Sequence, residues 1–158
     1  MSETVNGFAA QSWERELGAA RGGRLAPRLR LHELGCALYE LDPGGQAAPY
    51  HVHHGNEELL IVLDGELELR TPDGTSTVRA GDVAGFPTGP EGAHRLRNTG
   101  EGRARYLLVS TMRYPDIAEH VDTGTVLAIK NPSEGWAFPA GSEGDYMGLV
   151  TEAMEGEP

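Results

Sequence analysis

The stretch Glu58-Leu-Leu-Ile-Val-Leu-Asp64-Gly65-Glu66-Leu-Glu-Leu-Arg70 decides the fold class of this chain. Its first half is a short apolar run, Asp64-Gly65 is a turn signal, and its second half alternates polar and apolar residues with period two. That pattern predicts a β-hairpin over 58–70. Working outward, Thr71-Pro-Asp-Gly74 makes the next turn, a β-branched strand follows over 75–79, and Ala80-Gly-Asp82 leads into Val83-Ala-Gly-Phe86. Beyond a Gly/Pro-rich loop over 87–92, a strand over 93–98 turns at 99–102 and returns over 103–111. Upstream, Leu38-Tyr-Glu-Leu41 is another strand, closed by Asp42-Pro-Gly-Gly45. Short strands at this spacing, with no helix-length period between them, predict an all-β antiparallel sandwich or barrel.

The flanks are less regular. Ser12-Trp-Glu-Arg-Glu-Leu-Gly-Ala-Ala20 carries the signals of a short helix capped by Ser12 and stopped by Gly22-Gly23 and Pro27. From Tyr114 onward nine acidic residues stand against Lys130 alone, with one strand signal over 125–129. The expected organisation is an N-terminal extension over 1–30, a barrel over 31–113, and a C-terminal extension over 114–158. The last piece is expected to pack on the barrel or on a partner subunit, anchored by Trp136 and Phe138, with its last eight residues disordered.

A chain of 158 residues fits one domain with a proper core. Its formal charge of -11 repels phosphate backbones and anionic lipids, so neither nucleic acid nor membrane is an expected partner. Five arginines, Arg15, Arg21, Arg24, Arg28 and Arg30, crowd the N-terminal segment, where a solvated face is the expectation. No leader of positive then apolar residues opens the chain, and no run approaches the ~18 apolar residues of a membrane span, which predicts a cytoplasmic protein. Cys36 is the single cysteine, which excludes an internal disulfide and a thiolate metal cluster; it is expected to be a buried structural thiol.

The chemistry concentrates in Tyr50-His51-Val52-His53-His54, followed by Glu57 and Glu58. Residues i and i+2 of a strand share a face, so His51 and His53 point one way while Val52 and His54 point the other. Glu58 shares parity with Leu60 and Val62, and so suits the inward ligand position better than Glu57, which is left as a partner to a ligand. Two imidazoles and a carboxylate around one point suit Zn, Fe, Mn, Ni or Cu. His32 and His120 match no pattern and are expected to be ordinary surface histidines.

Gly45, His51, His53, Glu58 and Gly65, spaced G-x5-H-x-H-x4-E-x6-G, closely resemble the first motif of the cupins. Gly81, Pro87-Thr-Gly89, His94 and Asn98 are similar to the second, except that four residues, Pro-Glu-Gly-Ala, precede the histidine where the common form has two. The resemblance implies a double-stranded β-helix, a jelly-roll-like barrel, with the metal on its axis held by His51, His53, Glu58 and His94. It also implies one divalent transition metal (Zn, Fe, Mn or Ni) as cofactor and a homodimer formed through edge strands or swapped terminal segments.

Four protein ligands on an octahedral metal leave two positions open, as in catalytic sites. The expected ligand is a small, weakly charged metabolite, since parity sends the aliphatic Leu60, Val62 and Leu96 inward with the metal ligands. As an enzyme the protein would be a metal-dependent dioxygenase or isomerase, with Glu57 or Tyr50 as the candidate catalytic base. The alternative is a non-enzymatic cupin that binds a small molecule or the metal. A sugar-phosphate isomerase is disfavoured because Arg95 and Arg97 alternate away from His94.

Overall fold

Gly65 is where the chain changes sheets. It holds a φ of +76°, and a Cβ there would stand 2.6 Å from the Arg103 carbonyl oxygen, so glycine is required by conformation and by space. In this computed structural model, which describes residues 3–9, 13–142 and 144–155, thirteen strands and one helix follow one another. They are β1 (Arg15–Leu17), β2 (Ala20–Arg24), β3 (Gly35–Leu41), β4 (His51–His53), β5 (Glu58–Asp64), β6 (Glu66–Thr71), β7 (Gly74–Arg79), β8 (Val83–Phe86), β9 (Arg95–Arg97), β10 (Ala104–Ser110), β11 (Asp116–His120), β12 (Thr125–Asn131), β13 (Glu134–Phe138) and α1 (Tyr146–Glu155).

The hairpin predicted over 58–70 is not formed. β5 pairs with β10 and β8, while β6 pairs with β7 and β9 in another sheet. Apolar rows explain the difference. Paired edge to edge, Leu60 and Val62 would lie beside Leu67 and Leu69 on one surface. Placed in facing sheets, the two rows meet and join one core cluster with Leu41, Leu96 and Tyr106. Burial of that order stabilises by roughly 1.5–3 kcal/mol per large aliphatic side chain, far more than a local turn preference contributes. The β6–β7 hairpin at Thr71-Pro-Asp-Gly74 does form.

One sheet runs β1-β2-β3-β10-β5-β8. A four-stranded sheet, β13-β12-β11-β4, and a three-stranded one, β7-β6-β9, are joined by bridges between His51 and His94 and between Gln46 and Arg97. The joined surface faces the first sheet across the core. Most sequence neighbours thus lie in opposite sheets, which is the double-stranded β-helix implied by the glycine and histidine motifs.

Both flanks extend these sheets. The helix read over 12–20 is replaced by β1, a turn at Gly18 (φ +59°) and β2, which pairs along β3 from Ala20 to Arg24; Ser12 lies outside the described residues. Pairing to a formed sheet overrides a weak helical preference, and Gly22 in particular has a tertiary role, since a Cβ there would meet the Tyr39 ring at 2.9 Å. On the other side β11 pairs with β4, so residues after 114 continue the histidine-bearing sheet. Trp136 and Phe138 are not packed on the barrel: both stay exposed on edge strand β13 within the single chain. Residues 151–155, expected to lack structure, complete α1, none of whose residues is buried. Among the described residues no helix is long and apolar enough to cross a membrane.

Candidate metal centre

β4 is three residues long and its alternation is clean. Val52 is 2% exposed and packs outward with Tyr50 and Ala93, while His51 and His53 face the barrel interior. His54 is exposed and contacts Glu119 at 3.2 Å. Glu58 opens β5 on the opposite wall. His94 reaches the cluster through the backbone: its N–H donates to the His51 carbonyl at 2.8 Å and its carbonyl accepts from the His51 N–H at 3.1 Å. The longer loop before it closes as a 3-10 turn, Pro90–Gly92, with Gly92 packed so tightly on Pro87 that a Cβ would fall 1.7 Å from the Pro87 oxygen. The two extra residues are taken up in that turn, and His94 arrives stacked on Phe86 with ring centroids 3.7 Å apart.

The histidines converge on one carboxylate oxygen. Glu58 Oε2 lies 3.3 Å from His94 Nε2, 3.8 Å from His53 Nε2 and 4.0 Å from His51 Nε2. Ligating atoms of His51, His53 and Glu58 all fall within 4.8 Å of one another, and His94 joins them through its contact with Glu58. Donors held ~2.1 Å from a metal stand roughly 3–3.5 Å apart, so the cluster is slightly wider than a closed coordination shell.

The opposite ring nitrogens explain the orientation. His51 Nδ1 donates to the Pro49 carbonyl at 2.9 Å and His94 Nδ1 to the Gly92 carbonyl at 3.0 Å. His53 Nδ1 donates to Asp116 Oδ2 at 2.6 Å, and Asp116 Oδ1 accepts the Gly55 N–H at 2.8 Å. Carbonyls only accept, so Nδ1 carries the proton in His51 and His94 and each Nε2 lone pair points into the cluster. Burial lowers the His51 pKa to about 4 and, with the adjacent His51, the His94 pKa to about 3. These two imidazoles are neutral at pH 7, and their contacts with Glu58 are not ion pairs. Burial pushes the Glu58 carboxyl up, with neighbouring His53 opposing the shift and Asp116 adding to it. Glu58 Oε2 is buried and has no hydrogen-bond partner among the described residues. A buried carboxylate oxygen facing three lone pairs is costly unless a cation stands between them, and this donor set fits a divalent transition metal.

Tyr50 and Glu57 are not brought to the cluster. The alternation that sends His51 and His53 inward sends Tyr50 outward, where the Arg70 guanidinium covers its ring at 3.9 Å. Glu57 is exposed, one step out of phase with Glu58, and its backbone N–H donates to Thr111 Oγ1 at 3.2 Å. The role left open for it falls to Asp116, 1% exposed and far along the chain, for which the sequence carried no signal beyond an acidic residue in the tail. His51, His53, Glu58 and His94 all line an inner cavity of about 160 Å³ with Tyr39 and Tyr106. Outside it lies a chamber of about 460 Å³ touching His53, Glu58, Tyr39, Tyr114 and Ile129. Leu60 and Val62 are packed core, at 0% and 1% exposure, and do not line the chamber; Leu96 lines the inner cavity.

The family model for the Cupin domain matches residues 37–110, which span β3 to β10 and hold all four of these residues. Residues 37–110 form a Cupin domain. Among solved structures it is similar to a sugar phosphate isomerase of the cupin superfamily from Silicibacter pomeroyi, at 27% identity over 82% of this chain and 82% of that one, with a TM-score of 0.72. A proposed sugar phosphate isomerase from Acidithiobacillus ferrooxidans shares the fold at 23% identity, covering 85% and 89% of the two chains, with a TM-score of 0.76. So does a polyketide cyclase from Streptomyces resistomycificus, at 22% identity over 73% and 84%, with a TM-score of 0.58. No curated protein matches the sequence. The cupin strands are thus lengthened here by β1–β2 on one sheet and β11–β13 on the other, and the second of these additions carries Asp116.

Proposed function

We propose that this cupin binds one divalent transition metal through His51, His53, Glu58 and His94 and uses the metal's open positions to bind, or act on, a small and weakly charged metabolite. The observation that carries this is Glu58 Oε2, buried without a hydrogen-bond partner among the described residues and faced by three Nε2 atoms. When bound, a metal of this kind supplies Lewis acidity or a place to hold dioxygen beside a substrate. The chain's own contributions are separate. Asp116, Pro49 and Gly92 hold the three imidazoles in one tautomer and orientation. Leu60, Val62 and Phe86 close the barrel below the cluster and exclude water from that side.

A non-enzymatic binding role is the second reading, supported by the distance of Tyr50 and Glu57 from the cluster. A sugar-phosphate isomerase, suggested by the Silicibacter pomeroyi relative, would draw on free cations beside the cluster, yet Arg95 is paired with Glu68 at 2.7 Å and Arg97 is exposed. A homodimer belongs to the same proposal, with exposed Trp136 and Phe138 on β13 as its candidate contact.

Elemental analysis of protein purified without added metal tests the centre. Wild type and His54→Ala are expected to carry about one transition metal per chain, and His53→Ala and His94→Ala to lose it. Metal-free wild type, or a His53→Ala protein that keeps its metal, refutes the proposal. Oxygen uptake by Fe(II)-loaded protein with small diols, thiols and keto acids then separates enzyme from binder.

A further inference from the structure

The arginine-bearing N-terminal segment is only partly a solvated face. Within β2, Ala20, Gly22 and Arg24 stand opposite Leu41, Tyr39 and Ala37 of β3, which stand in turn opposite Ala104, Tyr106 and Leu108 of β10. Directly paired residues of antiparallel strands share a face, and Ala20, Leu41, Ala104 and Tyr106 belong to the core inside the barrel. Arg24 is therefore on the face that continues the interior, at the strand end, with its side chain 59% exposed. Arg21, one step out of phase, lies on the outer face against Glu40.

Arg24 stands at a neck. The 460 Å³ chamber runs from His53 and Glu58 out to it, and a second cavity of about 570 Å³ begins there; Arg24, Ala37, Tyr39 and Pro132 line both. The second cavity also holds Glu14 and Arg15. Arg24 Nε donates to Glu14 at 2.9 Å, while its two terminal nitrogens meet no acceptor among the described residues, and Arg15 makes no ion pair among them. Two guanidiniums against one carboxylate leave this mouth positive on a chain whose formal charge is -11.

We propose that the metabolite taken into the chamber carries its charge in one terminal oxyanion, a carboxylate or phosphate held by the terminal nitrogens of Arg24, while its uncharged, apolar body lies along the chamber toward the His/Glu cluster. This rests on the reading of that cluster as the anchor for the other end of the ligand. A guanidinium with both terminal nitrogens open offers a two-pronged, charge-assisted contact that matches the geometry of either oxyanion. The apolar part of the chamber is supplied by Leu34, Leu108 and Ile129.

Chemical-shift titrations of the full chain with hexanoate, hexyl phosphate and hexanol test this. Wild type should bind at least one of the anions about tenfold more tightly than the alcohol, and whichever anion binds better identifies the head group. Arg24→Gln should abolish that preference, Arg97→Gln should keep it, and Glu14→Gln, which removes the competing carboxylate, should strengthen it. No preference in wild type, or an unchanged preference in a folded Arg24→Gln protein, overturns the proposal. The same titration on His53→Ala separates the two claims. If the preference survives loss of the metal, the anion sits at Arg24; if it vanishes there and survives in Arg24→Gln, the anion is on the metal and the assignment to Arg24 fails. A wild-type chain that carries no metal, yet whose preference depends on Arg24, would refute the metal centre alone.

Discussion

Asp116→Asn isolates one hydrogen bond behind the cluster without changing the shape of the side chain. Asp116 is 1% exposed and accepts from two donors, His53 Nδ1 at 2.6 Å and the Gly55 N–H at 2.8 Å. An asparagine has one accepting and one donating end. With its oxygen on Gly55, its amide N–H faces His53 Nδ1, and the imidazole relieves the donor–donor clash only by moving its own proton to Nε2. That is the atom aimed at Glu58. With the amide reversed, the same clash falls on Gly55. Metal binding must restore an Nε2 lone pair and leave one buried donor unpaired, at a cost of about 1–3 kcal/mol. This corresponds to roughly a tenfold to hundredfold loss of affinity, the range seen when such outer partners of metal-bound histidines are removed. Competition between the protein and a chromophoric chelator for Zn(II) at pH 7.5 measures the loss. Nitrogen-15 spectra of the metal-free variant report which ring nitrogen of His53 carries the proton. An affinity within twofold of wild type, with His53 still protonated at Nδ1, would refute the argument that Asp116 sets this ligand.

Two further substitutions probe a buried charge network and the turn that delivers His94. Glu40 is a buried carboxylate that accepts from Arg21 at 2.7 Å, from Arg105 Nε at 3.1 Å, and from Arg105 Nη2, with Arg103 at 3.4 Å. Glu40→Ala strands these guanidiniums and should cost about 3 kcal/mol in urea unfolding, the low end for a broken buried pair because Asp42 remains near Arg21 and Arg103. Metal content should be unchanged, and a cost below ~1 kcal/mol would show the network to be dispensable. Gly92→Ala forces a Cβ onto the Pro87 oxygen and so displaces the loop that delivers His94. It should lower stability by about 1–3 kcal/mol and weaken metal binding as well; a variant with wild-type affinity would show that His94 is placed independently of this turn.

The parts of the site that were legible in the sequence are those governed by local geometry. A period of two is a property of any extended strand, so His51 and His53 on one face and Val52 and His54 on the other followed from order alone, as did Glu58 over Glu57. The error at 58–70 arose from the same kind of evidence. Asp64-Gly65 is compatible both with a hairpin and with a sheet-to-sheet corner, and the two differ only in what lies across from Leu60 and Val62. β2 was missed for a related reason: Gly22-Gly23 stops a helix by propensity, but in place it makes room for the Tyr39 ring. The signal needed was a partner strand, and β3 is separated from β2 by a loop whose composition says nothing about pairing.

Asp116 shows where local reading ends and what replaces it. Its carboxylate is 63 positions from His53 in sequence, and it reaches that ring because β11 pairs with β4 with Ala118 opposite His53. The orientation of a central histidine therefore depends on a segment outside the matched residues 37–110. Arg24 reaches the chamber mouth in the same way, through a strand that precedes those residues. The barrel brings the four candidate ligands together from within its own strands, while the strands added at either end supply what tunes one of them and the cation at the entrance.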